Sequence, residues 1–63
     1  MNEIIKTLEN IEDQLHEAAE DAMKFSQGNN SAGTRVRRVM QNIKGLAQQV
    51  RLEVQAQKNG VPA

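Results

Sequence analysis

The architecture follows from residues 4–25, which read IIKTLENIEDQLHEAAEDAMKF. Apolar residues recur in this stretch at alternating spacings of four and three, at Ile4, Leu8, Ile11, Leu15, Ala18, Ala22 and Phe25. This spacing places all seven side chains on one side of an α-helix. Neither Gly nor Pro interrupts the chain before Gly28, and the intervening residues are mostly good helix formers. The sequence therefore predicts one continuous helix over residues 2–26.

The connection after this helix, residues 27–31, has the composition of a tight turn. Gly28 can adopt the left-handed backbone conformation that ends a helix. Asn29, Asn30 or Ser31 can then cap the next helix with a side-chain oxygen. A connection this short joins helices that are neighbours in space and run in opposite directions.

A second helix is predicted over residues 32–58, with Asn59-Gly60 as its stop and residues 59–63 as a frayed tail. The expected fold is therefore all-α: an antiparallel two-helix hairpin that forms a single domain over residues 1–63.

The second helix carries two apolar rows, which predicts self-association. One row consists of Val36, Val39, Ile43, Leu46 and Val50, and the row beside it of Met40, Ala47 and Val54. A single antiparallel helix covers only one of them, whereas a homodimer of hairpins that forms a four-helix bundle covers both. A chain of 63 residues without cysteine also buries too little apolar surface to be stable alone.

The formal net charge is zero, but the two halves of the chain carry opposite charges. Residues 1–27 hold seven acidic and two basic residues, a net charge of −5. Residues 28–63 hold six basic residues and one acidic residue, a net charge of +5. The sequence therefore predicts an acidic first helix and a basic second helix.

Catalytic and metal-binding patterns are not found. His16 is the only histidine, it has no companions at ligand spacing, and the carboxylates follow a regular helical surface. We interpret His16 and the carboxylates as surface groups and expect no enzyme activity, no cofactor, no metal and no small-molecule substrate. Neither a signal peptide nor an apolar run of membrane-spanning length is present, so we expect a cytoplasmic protein without membrane contact.

Basic residues recur every seven positions along the second helix, at Arg37, Lys44, Arg51 and Lys58, a set that we call the basic row. The glutamine row, Gln41, Gln48 and Gln55, has the same period, and Arg35 and Arg38 add charge near the turn. Such a surface could follow a phosphate backbone, with the cations releasing counterions and the amides donating hydrogen bonds. The alternative is that the cations are solvated or pair with the acidic helix.

Residues 28–38, GNNSAGTRVRR, resemble the turn and second-helix start of the bacterial histone-like family of the chlamydial, linker-histone-like type. Gly28 and Asn29 match the turn of that family, Ala32 and Gly33 its small residues, and Arg35, Arg37 and Arg38 its basic cluster. The resemblance implies a nucleoid-associated, DNA-binding protein. This sequence differs from DNA-compacting members in lacking a lysine-rich tail, so compaction through a tail is not expected.

Two functions from different classes follow. In the first, a histone-like protein in the nucleoid binds duplex DNA largely without sequence specificity, through the positively charged residues of its second helix: Arg35, Arg37, Arg38, Lys44, Arg51 and Lys58. In the second, the chain is a helical protein–protein interaction module or an assembly subunit that does not bind DNA.

Overall fold

The computed structural model describes residues 2–60 as a hairpin of two α-helices. Helix α1 spans Glu3–Ser26 and helix α2 spans Asn30–Lys58. The second helix thus begins two residues before the range predicted for it, and the turn is correspondingly shorter. Of the tail predicted at residues 59–63, the last three residues lie outside the described part of the chain.

Asparagine side chains start both helices. Asn2 Oδ1 accepts a hydrogen bond from the Ile4 amide at 2.8 Å, and Asn29 Oδ1 accepts one from the Ala32 amide at 3.2 Å. Each side chain satisfies one of the amide groups that the first turn of a helix leaves without a partner. Asn29 is one of the three residues that the sequence offered for the cap of the second helix.

The turn is closed by Gly28, whose φ of +101° lies in the region that favours glycine. The Gly28 amide donates to the Phe25 carbonyl oxygen at 3.0 Å, and the Asn29 amide donates to the Lys24 carbonyl oxygen at 3.1 Å. This pair of hydrogen bonds is the Schellman motif, which satisfies the last carbonyl groups of a helix. The prediction that Gly28 ends the first helix is confirmed.

The helices run antiparallel, and α2 contacts α1 through the first of its two apolar rows. The five members of that row are half-buried: Val36, Val39, Ile43, Leu46 and Val50. Met40 and Val54, from the second row, remain 42% and 39% exposed. The prediction that one antiparallel helix leaves the second row uncovered is therefore confirmed.

The apolar row predicted for α1 faces α2 only at alternate positions. Ile4, Ile11 and Ala18 face α2, but the positions between them are filled by Thr7, Gln14 and Asp21, which are buried or half-buried. Leu8 and Leu15 are each 49% exposed, and Ala22 is exposed as well. The two candidate rows differ by one residue, or about 100° around the helix, and both contain Ile4, Ile11 and Ala18. Spacing alone could not separate them.

Contacts between the helices explain the polar residues at two of these positions, Thr7 and Asp21, whereas the Gln14 amide donates to Asn10 Oδ1 on its own helix. The Thr7 hydroxyl oxygen lies 3.0 Å from the Glu3 carbonyl oxygen and 3.4 Å from Glu53 Oε1, and these two acceptors share its single proton. The same hydroxyl oxygen accepts from Gln49 Nε2 at 3.5 Å. At the other end of the hairpin, Arg35 Nε lies 3.0 Å from Asp21 Oδ1. Polar side chains in a helix interface are tolerated when they find partners across it.

The hairpin has a thin core. Among the described residues only Ala18, Ala32 and Thr7 are buried, and no large side chain is fully buried. Small buried residues let the helices approach closely but remove little apolar surface from water.

Substitution Ile43→Asp should remove most of the helical signal in circular dichroism. It places an unpaired carboxylate against α1, at an expected cost of about 2–4 kcal/mol. A core this small supplies stability of the same order. Ile11→Asp should act in the same way from the other helix. The exposed substitution Gln48→Asp is the control and should retain the parent's helix content; unchanged melting of Ile43→Asp would contradict the assigned contact.

Two glycine substitutions should change the free energy of unfolding in opposite directions. Gly28→Ala forces a Cβ into the positive-φ region and should destabilise the hairpin by about 1–2 kcal/mol. Gly45→Ala lies inside α2, where an added Cβ meets nothing within 4 Å. It should stabilise by about 0.5–1 kcal/mol, because alanine favours the helix. Urea melting of both variants measures the change in the free energy of unfolding relative to the parent. A change of the same sign in both variants would contradict the turn geometry.

Candidate nucleic-acid interface

The basic row lies along one side of α2. Arg37, Lys44, Arg51 and Lys58 are all exposed. Seven residues of α-helix rise about 10.5 Å and nearly complete two turns, so the row spans about 32 Å with a slow drift around the helix. The structure thus brings together four of the six predicted site residues.

The glutamine row is the immediate neighbour of the basic row. Gln41, Lys44, Gln48 and Arg51 line one shallow depression, together with Gly45. Gly45 has no side chain to fill this depression. The exposed surface therefore offers guanidinium, ammonium and amide donors side by side, as expected from the sequence.

The other two cations of the predicted site lie elsewhere on α2. Arg38 is exposed but is rotated by about 100° from Arg37 around the helix. Arg35 is rotated by about 200° from Arg37, which turns it towards α1. There its Nε donates to Asp21 Oδ1 at 3.0 Å, while 45% of the Arg35 side chain remains exposed.

The acidic helix does not neutralise the basic row. Over residues 2–60, the ion pair between Arg35 and Asp21 is the only one within 4.0 Å. The sequence left open whether the second-helix cations pair with the first helix, and among the described residues the structure shows such a pair at Arg35. The four cations of the basic row are exposed, and none of them pairs with a carboxylate of α1 in the described part of the chain.

Two contacts near this surface were not foreseen from the sequence. A Cβ at Gly33 would lie 2.6 Å from a ring carbon of Phe25, so the absence of a side chain at Gly33 makes room for that ring. Thr7 joins the helices at the open end. Thr7 lies three residues after Ile4, a spacing that allows both side chains to face α2. Leu8, four residues after Ile4, has an equally suitable spacing and is more apolar, so the sequence favoured Leu8 for this contact.

The described part of the chain holds no group of three His, Asp or Glu side chains placed to bind a metal ion. His16 is exposed on α1, in agreement with its interpretation as a surface group. Neither of the two helices has the length and apolar character required to cross a bilayer.

Comparison with protein families then places the sequence. The family model described as Histone H1-like protein Hc1 matches residues 5–60, which include both helices almost entirely. The chain belongs to this histone H1-like family. The resemblance seen at residues 28–38 is confirmed and extends over the whole hairpin. No curated protein and no solved structure gives a match.

Substitution Asp21→Asn should lower the free energy of unfolding by no more than about 0.5 kcal/mol at low salt. The ion pair is partly exposed on the arginine side, and such pairs contribute little. At about 1 M salt the difference should vanish, because charge interactions are screened. Thermal melts at both salt concentrations measure this, and a large loss that persists in high salt would mean that Asp21 has a structural role beyond charge.

Proposed function

We propose that this protein is a histone-like, nucleoid-associated protein that binds duplex DNA through the outer surface of α2. The observation that carries the proposal is the basic row, four exposed cations that α1 leaves unpaired, in a chain that belongs to a histone H1-like family. The proposed interface consists of Arg37, Lys44, Arg51 and Lys58, with Arg38 beside them. Arg35 is a secondary member that exchanges Asp21 for a phosphate.

The dimensions of the basic row suit a duplex. Its length of about 32 Å is close to one turn of B-DNA, about 34–36 Å. Cations spaced by about 10 Å contact separate phosphates, and each neutralised phosphate releases counterions. The glutamine row adds uncharged donors to phosphate and sugar oxygens, which position the duplex without reading its sequence. Binding is therefore sensitive to salt and largely independent of sequence.

Charge separation orients the protein on DNA. Helix α1 carries a net charge of −5 and helix α2 a net charge of +5. DNA is repelled by the first and attracted by the second, so an approaching duplex meets the outer side of α2. The basic row thus attracts DNA although the whole chain has no net charge.

The proposal also covers the oligomeric state of the protein and its place in the cell. The active form is a homodimer, since each hairpin leaves apolar rows uncovered, and its place in the cell is the nucleoid. No catalytic role, cofactor or small-molecule substrate is assigned. A helical interaction module without DNA binding is the competing function, and the uncovered apolar residues are the observation in its favour.

The double substitution Arg37→Ala with Arg38→Ala should weaken binding to random-sequence duplexes of any composition about equally. With about four phosphates neutralised per chain, the slope of log affinity against log salt should be near −3.6 for the parent. It should fall to about −2.7 if only Arg37 of the basic row contacts a phosphate, and to about −1.8 if Arg38 contacts one as well. Mobility shifts at several salt concentrations measure the slope, and circular dichroism should show unchanged helix content.

A matched control removes the same charge from the other helix. Lys6→Ala with Lys24→Ala changes the net charge equally, but both lysines are exposed on acidic α1. This variant should keep the parent's salt slope. If the two double variants bind alike, affinity follows total charge and the basic row is not the interface. If the parent itself binds no duplex at low salt, the interaction module becomes the better assignment.

A further inference from the structure

The hairpin presents a continuous apolar surface that neither helix covers. It consists of two rows with a period of seven, Leu8, Leu15 and Ala22 on α1 and Met40, Ala47 and Val54 on α2, which we call the outer apolar face. All six side chains are exposed, and the two leucines are each 49% exposed. Met23 and Leu52 are also exposed but lie elsewhere on their helices.

Both rows lie on the same side of the hairpin. Near the turn, one cleft is lined by Ala22 and Phe25 of α1 and by Gly33 and Val36 of α2, so the row positions of the two helices share a surface. Further along α1, Leu8 and Leu15 line a second depression with Ile5 and Ile11. Each residue of the outer apolar face directly follows, in sequence, a residue that faces the other helix. In an antiparallel helix pair such positions lie along the same edge of both helices.

The hairpin exposes more surface than a compact monomer of its mass. The chain has 4911 Å² of accessible surface, whereas a compact monomer of 7.0 kDa exposes about 4,000 Å². The excess of roughly 900 Å² is similar to the area of about 800 Å² that each partner contributes to a standard stable interface. The total area is therefore in the range expected of a subunit that packs against one partner.

We propose that the occupant of the outer apolar face is a second copy of this chain, packed with its α1 against α2 and with both turns at the same end. This inference rests on the self-association included in the proposed function, but not on DNA binding. Two-fold symmetry permits only two face-to-face arrangements of such hairpins. One places α1 on α2 of the partner subunit, and the other places like helices on each other.

Charge selects between these two arrangements. Packing α1 on α1 brings together two helices of net charge −5, and packing α2 on α2 brings together two of net charge +5. In the proposed arrangement every helix has only neighbours of opposite charge. Glu9 and Glu12 border the outer apolar face on α1, whereas Lys44 and Arg51 adjoin Ala47 on α2. The acidic edge of one subunit thus meets the basic edge of the other.

Side-chain size agrees with this arrangement. The interhelix contacts of Thr7 with Glu53 and of Asp21 with Arg35 fix the relative heights of the two helices. In this axial register Leu8 lies, along the helix axis, between Val54 and Ala47. Leu15 lies between Ala47 and Met40. With the turns at the same end, the partner's rows have the same levels. Each leucine then enters a gap beside a small alanine.

In the proposed dimer the basic row has two competing partners, the acidic edge of the other subunit and DNA. The basic row borders the outer apolar face and lies on the rim of the bundle, while the glutamine row and Arg38 lie outside it. Rim ion pairs are solvated and weak, and arginine and lysine side chains are long enough to extend from the rim to a phosphate. The dimer then carries two basic helices, one on each side.

Light scattering of the full chain tests the interface. The parent should be a dimer at tens of micromolar. Leu15→Gln should raise the dimer dissociation constant by about a hundred-fold or more, since each dimer loses two buried leucines. Met23→Gln is the control, because Met23 is 64% exposed outside the face, and its dissociation constant should match the parent's. A monomeric parent would overturn the proposal and leave the face to another protein.

Cysteine cross-linking tests the arrangement at chosen positions, since the chain has no cysteine of its own. Leu15→Cys and Ala47→Cys are prepared as separate chains and oxidised alone or after mixing. A covalent dimer should form far faster in the mixture, where Leu15→Cys of one chain faces Ala47→Cys of the other. Rapid dimer formation by Leu15→Cys alone, or none in the mixture, would overturn the proposed packing. If the parent is a dimer and the cross-link forms as expected but the protein binds no DNA, only the proposed function would be overturned.

Discussion

The structure depends on how α1 divides its apolar residues between two adjacent sides. Ile4, Ile11 and Ala18 belong to both possible contact rows. In the hairpin the positions between and after them that face α2 are Thr7, Gln14 and Asp21, and not the leucines. Hydrogen bonds and one ion pair across the interface fix the height of one helix on the other. The same choice leaves Leu8 and Leu15 uncovered, so a specific hairpin is obtained with little buried apolar area.

Segregation of charge gives the molecule two different sides. The acidic residues of α1 and the basic residues of α2 cancel in number, but a single ion pair joins them in the described part of the chain. Because the remaining cations lie on the outer side of α2, the field there is positive despite the zero net charge. Such a separation of charge lets one side of a neutral molecule attract an anionic polymer.

Three surfaces of α2 serve different purposes. The row from Val36 to Val50 contacts α1, the neighbouring row of Met40, Ala47 and Val54 belongs to the outer apolar face, and the basic and glutamine rows face outward. The heptad period keeps these surfaces separate along 29 residues. Glycine has two distinct roles: Gly28 supplies the backbone conformation of the turn, and Gly33 supplies space for the Phe25 ring.

The sequence by itself determined the two helices, the closure of the first by Gly28, the two apolar rows of α2, the basic row and the family. These features are local, since period, capping and charge are set by residues within a few turns of each other. Only the tertiary structure decided which row of α1 turns inward and that Arg35, alone among the α2 cations, pairs with Asp21. Leu8 is more apolar than Thr7, so spacing and hydropathy favour the leucine row. The partners that make Thr7 and Asp21 acceptable inside, Glu53, Gln49 and Arg35, lie between 14 and 46 residues away and become neighbours only when the chain folds back.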